Sequence, residues 1–582
     1  MAFEGVHKAM HSAVQKAIRM ATNIQSIKIG AGAFCFLCAW LYPYYAGGNP
    51  DALQQIFMLA TLTAGALLIG LAPLSPWLAA AALAGALTML FTAHPYWEAR
   101  VAGAAGLLLV VLACHMGAQL QRKPTLLPWL LYALVAAAVL NAAQGLLQWF
   151  GLVGELYRWV VEPEQRGIAY GAFRQRNLFA TFLCVGVVGV VWLVYLRRLT
   201  EGMAWFFLLI LMLSVAASGS RTGVLEAATL AALAILWRKQ LPRAVTRLMV
   251  GQLALLGLSM LFLPIAAGWH GIEFTSSASR VALVGRDARW MIWDNAIALI
   301  AERPWTGWGW REMGYARYVT LLDNRFEGLL EHAHNLPLQL ALEFGLPVAV
   351  LVCGVAAWAI YRAKPWRIHT DSKPFAWVIL LLIVGIHSML EYPLWSTGFL
   401  FLAGLCVGYL LPITPLGSPA TVGQVWALRW AKLSAVGLLV LSLVAWQQYA
   451  KVLLIYKTPF TNDKVQQRTA ATAALAKASG AWLFQELLDF STLGITEVTA
   501  QNAPEVRRLA EKLLHYSAEP RVIQPLLLSL WWLDDQPALQ FHADRFCRAY
   551  PAVFQKWNSQ PVVHPMVVAM KPLAAECRAQ AF

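Results

Sequence analysis

Charge is what this sequence has least of. Of its 582 residues only 13% are Asp, Glu, Lys or Arg, against 59% hydrophobic, and a soluble chain of that length needs far more charge to cover its surface. A single very large soluble core is excluded too, because apolar runs recur with short charged gaps through the first three-quarters of the chain. Lys and Arg outnumber Asp and Glu by 45 to 30, yet the basic residues form small clusters between apolar runs rather than one basic face, so nucleic acid is not an expected partner.

Other things are missing as well. No cleavable signal peptide opens the sequence: Met1 to Ile27 is polar, basic and helix-compatible, and the first apolar run begins near Lys28. The CxxC spacing of Cys35 and Cys38 falls inside an apolar run, where packing is the natural reading. Cys114, Cys184, Cys353 and Cys406 lie in such runs as well. No compact set of His, Cys and carboxylate ligands appears, so neither a metal nor a cofactor is expected.

What is there is a succession of apolar runs of spanning length. They fall at about 29–45, 53–72, 76–92, 100–119, 127–149, 177–196, 203–217, 221–237, 248–266, 336–361, 375–390, 394–412 and 430–448. The fold class is therefore all-α, a polytopic membrane protein with about 13 transmembrane helices. With the N-terminus cytoplasmic, the cytoplasmic pieces collect Lys8, Lys16, Arg19, Lys28, Arg122 with Lys123, and Arg197 with Arg198. Arg238, Lys239, Arg243, Arg247, Arg362, Lys364, Arg367, Lys373, Arg429 and Lys432 fall there too. The organisation that follows is a cytoplasmic segment 1–28, a membrane domain 29–448 carrying a long external loop at 267–335, and an external helical domain 449–582. In the last, Pro504 to Tyr516 and Gln536 to Tyr550 alternate polar and apolar faces. Cys547 and Cys577 are the only cysteines outside the runs; in an oxidising compartment such a pair usually forms a bridge, and the plainer reading is two unrelated free thiols.

The external pieces carry polar groups at membrane depth, where they are costly and usually functional. Ser218-Gly219-Ser220-Arg221-Thr222-Gly223 would let backbone N–H groups and Arg221 converge on a phosphate; the plainer reading of Arg221 is an interface anchor. The long loop contains Arg280, Arg286 and Arg289, an amphipathic helix from Trp290 to Ile300, and Trp305-Thr306-Gly307-Trp308-Gly309-Trp310. Those tryptophans either stack on sugar rings or anchor at the bilayer surface. Glu331-His332-Ala333-His334-Asn335 places a histidine where it can take a proton from a hydroxyl near neutral pH; a structural hydrogen-bonding role is the alternative, above all for His332. Arg174-Gln175-Arg176-Asn177 closes the first external loop, at about 150–177, and His387-Ser388-Met389-Leu390-Glu391-Tyr392-Pro393 forms an external turn. Glu391 either serves the substrate or neutralises a neighbouring arginine. Several arginines and a histidine without a metal cage suit transfer from a lipid-linked diphosphate donor, the arginines holding the leaving group and the histidine activating an acceptor hydroxyl.

Ser220-Arg221-Thr222-Gly223, the stretch Arg289…Trp293…Pro304…Gly307…Gly309, and His334-Asn335 followed by Leu342-Glu343-Phe344-Gly345-Leu346-Pro347 resemble the O-antigen ligase superfamily, in order and spacing, over about residues 170–410. That superfamily takes in O-antigen ligases, Wzy-type polymerases and bacterial protein O-oligosaccharyltransferases. Gln175-Arg176-Asn177, His387 to Leu394 and the soluble tail look most like the oligosaccharyltransferases of the PglL type. The resemblance implies a GT-C-type fold in the bacterial inner membrane, with the tail and the active site periplasmic. It implies a metal-independent glycosyltransferase using an undecaprenyl-diphosphate-linked glycan and modifying Ser or Thr of exported proteins such as pilins. Carried over residue by residue, His334 is the catalytic histidine and Arg221 and Arg289 contact the diphosphate. Gln175, Arg176, Asn177, Asn335 and Glu391 join the substrate site without a defined role. Arg174 departs from the small residue the pattern leads one to expect. Ligation of O-antigen to lipid A–core, polymerisation of lipid-linked repeats, and a flippase or transporter remain alternatives.

Overall fold

A computed structural model of the chain describes residues 23–42, 51–272, 288–322, 329–367, 373–413, 419–457 and 463–558. Among the described residues all regular structure is helical, as the apolar runs require: in lipid a chain must satisfy its backbone groups internally. Among the described residues, eight helices are long and apolar enough to cross a membrane by themselves: Ala52–Ile69, Trp97–Arg122, Pro124–Phe150, Arg176–Tyr195, Glu201–Ser218, Arg243–His270, Leu346–Ala363 and Val422–Tyr456. The remaining runs form shorter helices, Asn23–Ala39, Pro76–Leu90, Pro374–Met389 and Thr397–Leu410, together with Arg221–Leu236. Each apolar run thus has its helix, while the expected count of thirteen spans exceeds what length and composition alone establish. Arg280, Arg286 and Cys577 lie outside the described residues.

One core of Leu, Val, Ala and aromatic side chains runs through the bundle, with Trp40, Trp149, Trp192, Phe179 and Phe182 wholly buried in it. Small residues set the closest crossings, as is usual where lipid supplies no hydrophobic drive between helices. Where Trp97–Arg122 meets Thr397–Leu410, a Cβ on Gly117 would stand 2.0 Å from the Leu405 carbonyl, and one on Gly408 2.0 Å from that of Cys114. Leu346–Ala363 is the opposite case: only 6% of its apolar window is buried.

Two runs are less regular than their sequence reading. The run 336–361 is not one helix but two, Leu336–Phe344 and Leu346–Ala363. Gly345 breaks it with φ +84°, and a Cβ there would lie 2.4 Å from the Trp305 carbonyl oxygen. The loop Trp305 to Gly309 docks into that break, Trp308 N–H donating to Leu342 O (2.8 Å), Gly309 N–H to Glu343 O (3.0 Å) and Leu346 N–H to Pro304 O (2.8 Å). The run 375–390 begins as an α-helix, widens into a π-helix over Leu381–Ile386 and tightens into a 3-10 turn over His387–Met389. Such changes of pitch are frequent at functional sites. Position 449 falls inside Val422–Tyr456, one helix of 35 residues that carries the chain out of the bundle and into the tail.

The tail packs its helices Gln485–Ile495, Ala503–Leu513, Pro520–Trp532, Gln536–Ala549 and Pro551–Asn558 around a core of Leu, Val, Ile and Phe that also takes in Tyr96 and Tyr318 from the loops. Polar contacts fix the seat. His515 Nδ1 pairs with Glu312 Oε2 at 2.7 Å, Arg311 with Glu486 at 3.6 Å, and Tyr318 Oη meets His542 Nδ1 at 2.9 Å. Burial pushes the Glu486 carboxyl up to about 7 against the pull of Arg311. Cys547 is disulfide-bonded, whereas Cys35, Cys38, Cys114, Cys184, Cys353 and Cys406 are free.

The loops assigned to the outer face by the charge pattern therefore meet one another and the tail at one end of the bundle. Reporter fusions after Gly314 and Lys457 are expected to report the external compartment, and fusions after Arg247 and Arg367 the cytoplasm. An external signal at Arg367 would break this topology.

Candidate active site

The site is built from helix starts. Arg176–Tyr195 begins at Gln175, whose side-chain oxygen caps the Leu178 N–H. Arg174, just before it, has φ +56°, the left-handed region that explains why a small residue is expected there. Arg221–Leu236 begins at Ser220, whose Oγ accepts from Gly223 N–H (3.1 Å) and donates to Asn177 Oδ1 (2.6 Å). Leu336–Phe344 begins at Asn335, whose Oδ1 accepts from Leu338 N–H (3.2 Å) while its Nδ2 donates to Met389 O (3.3 Å). His334, immediately before that cap, is itself held at φ +52°. Its flank is fixed by Ala333 N–H donating to Gln339 Oε1 (2.7 Å) and Gln339 Nε2 donating to Glu343 Oε1 (2.9 Å).

These starts converge on Glu391. Its Oε1 accepts from Asn177 Nδ2 (3.0 Å) and from Arg289 Nη2 (3.0 Å), and its Oε2 pairs with His334 Nδ1 at 2.8 Å. Arg289 also donates through Nε to Leu390 O at 3.1 Å. Burial alone would raise the Glu391 carboxyl; the His334 hydrogen bond and the charges of His334 and Arg289 outweigh it and hold the carboxyl below its ordinary range. Glu391 is thus an anion that accepts the Nδ1 proton of His334, which leaves the other ring nitrogen as the basic one. Sequence reasoning left Glu391 between serving the substrate and neutralising a neighbouring arginine; the ion pair with Arg289 is formed, and the contact that orients His334 is one the sequence did not suggest.

Arg221 is the first residue of its helix, half-buried and next to Ser220. Arg176 is half-buried in the first turn of the helix that carries Asn177. Beside the dyad opens a pocket lined by His334, Glu391, His332, Tyr392 and Trp395. The His332 ring lies 4.3 Å from that of Tyr392 and 4.7 Å edge-on to Trp395. Desolvation, then the charges of His334 and Arg311, push the His332 pKa down to about 3, so it is neutral at physiological pH. Of the tryptophan-rich loop, Trp310 stacks on Trp395 at 6.1 Å and 11°, and Trp308 donates to Leu299 O at 2.8 Å. Trp305 alone is largely exposed.

One layer escaped the sequence reading. Thr181 Oγ1 donates to Glu226 Oε1 (2.7 Å) and meets His387 Nδ1 (2.7 Å), and the His387 carbonyl accepts from the N–H groups of Leu390 (2.9 Å) and Glu391 (2.8 Å). This buried group carries the turn that holds Glu391. A lone carboxylate in the apolar run 221–237 was the available signal. Among the described residues no group of three His, Cys, Asp or Glu side chains is placed to hold a metal ion.

Three known families match parts of the chain. Residues 205–353 match the family described as "O-Antigen ligase", residues 169–194 that described as "Protein glycosylation ligase", and residues 375–563 that described as "Virulence factor membrane-bound polymerase, C-terminal". A "General O-oligosaccharyltransferase" of Acinetobacter baylyi is 25% identical over 333 residues, which are 55% of this chain and 56% of that protein. A "ComP-specific O-oligosaccharyltransferase" of the same organism is 26% identical over 125 residues, 21% of this chain and 22% of that protein. The matched region thus spans 56% of the first relative's length and 22% of the second's. The motif resemblance to O-antigen ligases and protein glycosylation ligases is thereby found independently over the segments that carry Asn177, Arg221, Arg289 and His334, and Glu391 falls in the polymerase match.

Proposed function

We propose that this chain, similar over these segments to O-antigen ligases and protein glycosylation ligases, is an O-oligosaccharyltransferase of the bacterial inner membrane. It transfers a glycan from an undecaprenyl-diphosphate carrier to Ser or Thr of an exported protein such as a pilin, with its active site facing the periplasm. The observation that carries the reading is the junction at Glu391, where a histidine, an arginine and an asparagine from separate helix starts meet one carboxylate.

The chemistry follows from that junction. Glu391 holds His334 with Nδ1 protonated, so the second ring nitrogen takes the proton of the acceptor hydroxyl as its oxygen bonds to the anomeric carbon. The bond between that carbon and the diphosphate oxygen breaks, and the carrier leaves as undecaprenyl diphosphate. Glu391 stabilises the imidazolium that forms, and the guanidinium groups of Arg221 and Arg289 face the charge that develops on the leaving diphosphate. Asn177 and Ser220 keep the helix start of Arg221 in register with Glu391.

The test is to supply the gene and a lipid-linked glycan to a cell that lacks its own ligases. Sugar is expected on exported protein; sugar on lipopolysaccharide instead would assign the chain to O-antigen ligation. With arginine carrying the diphosphate charge, the purified reaction should run at full rate in EDTA. A loss that Mg²⁺ or Mn²⁺ restores would count against the arginine account.

A further inference from the structure

The hydrogen bonds that fix the flank of His334 do not end at Glu343. Its Oε1 accepts a second bond, from the backbone N–H of Arg311 at 3.0 Å, and its carbonyl accepts from Gly309 N–H at 3.0 Å. The Arg311 guanidinium in turn faces the tail, with Nη1 3.6 Å from Glu486 Oε2. Glu486 sits in the first turn of the tail helix Gln485–Ile495. It donates its own N–H to Glu98 Oε1, on the bundle helix Trp97–Arg122, at 2.6 Å. One line of contacts therefore runs through Glu486, Arg311, Glu343, Gln339 and Ala333 and stops at His334.

Two observations argue that this line does more than hold the tail in place. The first is that the seat does not depend on it. The tail already packs on the loops through an apolar core that includes Tyr96 and Tyr318. A buried ion pair adds little net stability to such a contact, because both charges lose their water; what it supplies is a fixed register. The second is backbone strain at both ends of the line. Arg311 stands at φ +61° and His334 at φ +52°, conformations that persist in a non-glycine residue only when the surroundings enforce them. Between those ends, Gln339 and Glu343 are each only 2% exposed, so water has little access to compete for their bonds.

We propose that the tail is part of the transfer apparatus: through Glu486 and Arg311 it sets Glu343 and Gln339, positioning residues that hold the His334 backbone where the ring meets Glu391. The proposal rests on the reading of His334 as the base of glycan transfer. All four residues act through His334 rather than on the substrate. Their effect is on the placement of the imidazole, where a displacement of about 1 Å costs on the order of 10²-fold in rate.

The experiment measures kcat and KM of full-length protein in nanodiscs for transfer of a labelled glycan from undecaprenyl diphosphate to a purified pilin. Glu343→Ala is expected to lower kcat about 10²-fold, with KM for donor and acceptor near the parent's. Glu343→Gln should keep most of the turnover, since one amide oxygen can accept from both Gln339 and Arg311. Should Glu343→Ala fail to fold, Gln339→Met cuts the same line and carries the same expectation. Arg311→Met and Glu486→Gln break the line at the tail while leaving the Arg311 N–H in place, and each should lower kcat about tenfold. On a His334→Ala background none of these substitutions should cost anything further, because a residue that acts through His334 has nothing left to act on. A loss that adds to that of His334→Ala, a loss that lies in KM, or an equal loss in Glu343→Gln overturns the positioning role. Parental kcat in both Arg311→Met and Glu486→Gln overturns the part given to the tail. If the parent protein transfers no glycan, the oligosaccharyltransferase reading falls first and this inference with it.

Discussion

Replacing His334 with alanine is expected to lower glycan transfer by roughly 10²–10⁴-fold, the usual loss when a positioned base is removed, while membrane abundance and thermal stability stay near those of the parent. No second group in the pocket can stand in for it. His332 is pushed down to about 3 by desolvation, then by the charges of His334 and Arg311, which leaves it a poor base. Glu391 is held below the ordinary carboxylate range by its His334 and Arg289 contacts, against the opposing effect of burial. His332→Ala should therefore lose far less, on the order of tenfold. The check is transfer of a labelled glycan to a purified acceptor, and near-normal turnover by His334→Ala would remove this histidine from the mechanism.

Glu391→Gln should come close to the same loss, on the order of 10²–10⁴-fold, although it changes only one atom. A carboxylate accepts on both oxygens, and Glu391 uses both, for Asn177 and Arg289 on one side and His334 on the other. A glutamine has one accepting end. Turned towards Arg289, it presents an N–H₂ to His334 Nδ1, which forces the ring proton to the other nitrogen and removes the base. Turned the other way, it presents that N–H₂ to the guanidinium. The variant should also be less stable, by about 3 kcal/mol, because a largely buried charge loses its partner; measuring thermal stability beside turnover separates the two effects. The pH dependence has a definite sign. Since the folded Glu391 titrates below its unfolded value, its contribution is complete above the ordinary carboxylate range and fades only as pH falls through and below that range. An unchanged rate in Glu391→Gln would leave the carboxylate a structural ion-pair partner.

What was legible in the sequence follows from what a sequence records. Hydrophobic runs fix helices one at a time, and costly polar groups at helix ends mark Asn177, Ser220, Arg221, Arg289, His334 and Glu391 singly. Their pairing was not legible, because Asn177 and Glu391 are 214 residues apart and His334 and Glu391 57 apart, and only the packed bundle sets those distances. The break at Gly345 was hidden for a related reason. Residues 336–361 are apolar enough for one helix, and it is the docked loop at Trp305 that forces the turn. The Thr181–His387 contact was invisible because Thr181 carries no signal of its own and lies 206 residues from His387.

His334 occupies a backbone conformation, φ +52°, that favours glycine or asparagine and costs a branched or bulky residue on the order of 1 kcal/mol. Folding pressure alone would drift this position towards glycine, to a sturdier and chemically silent protein. An imidazole stands there instead, with Gln339 and the Asn335 cap bracing the kink from either side. Among variants selected for heat resistance without selection for transfer, His334 is where stability and purpose part company.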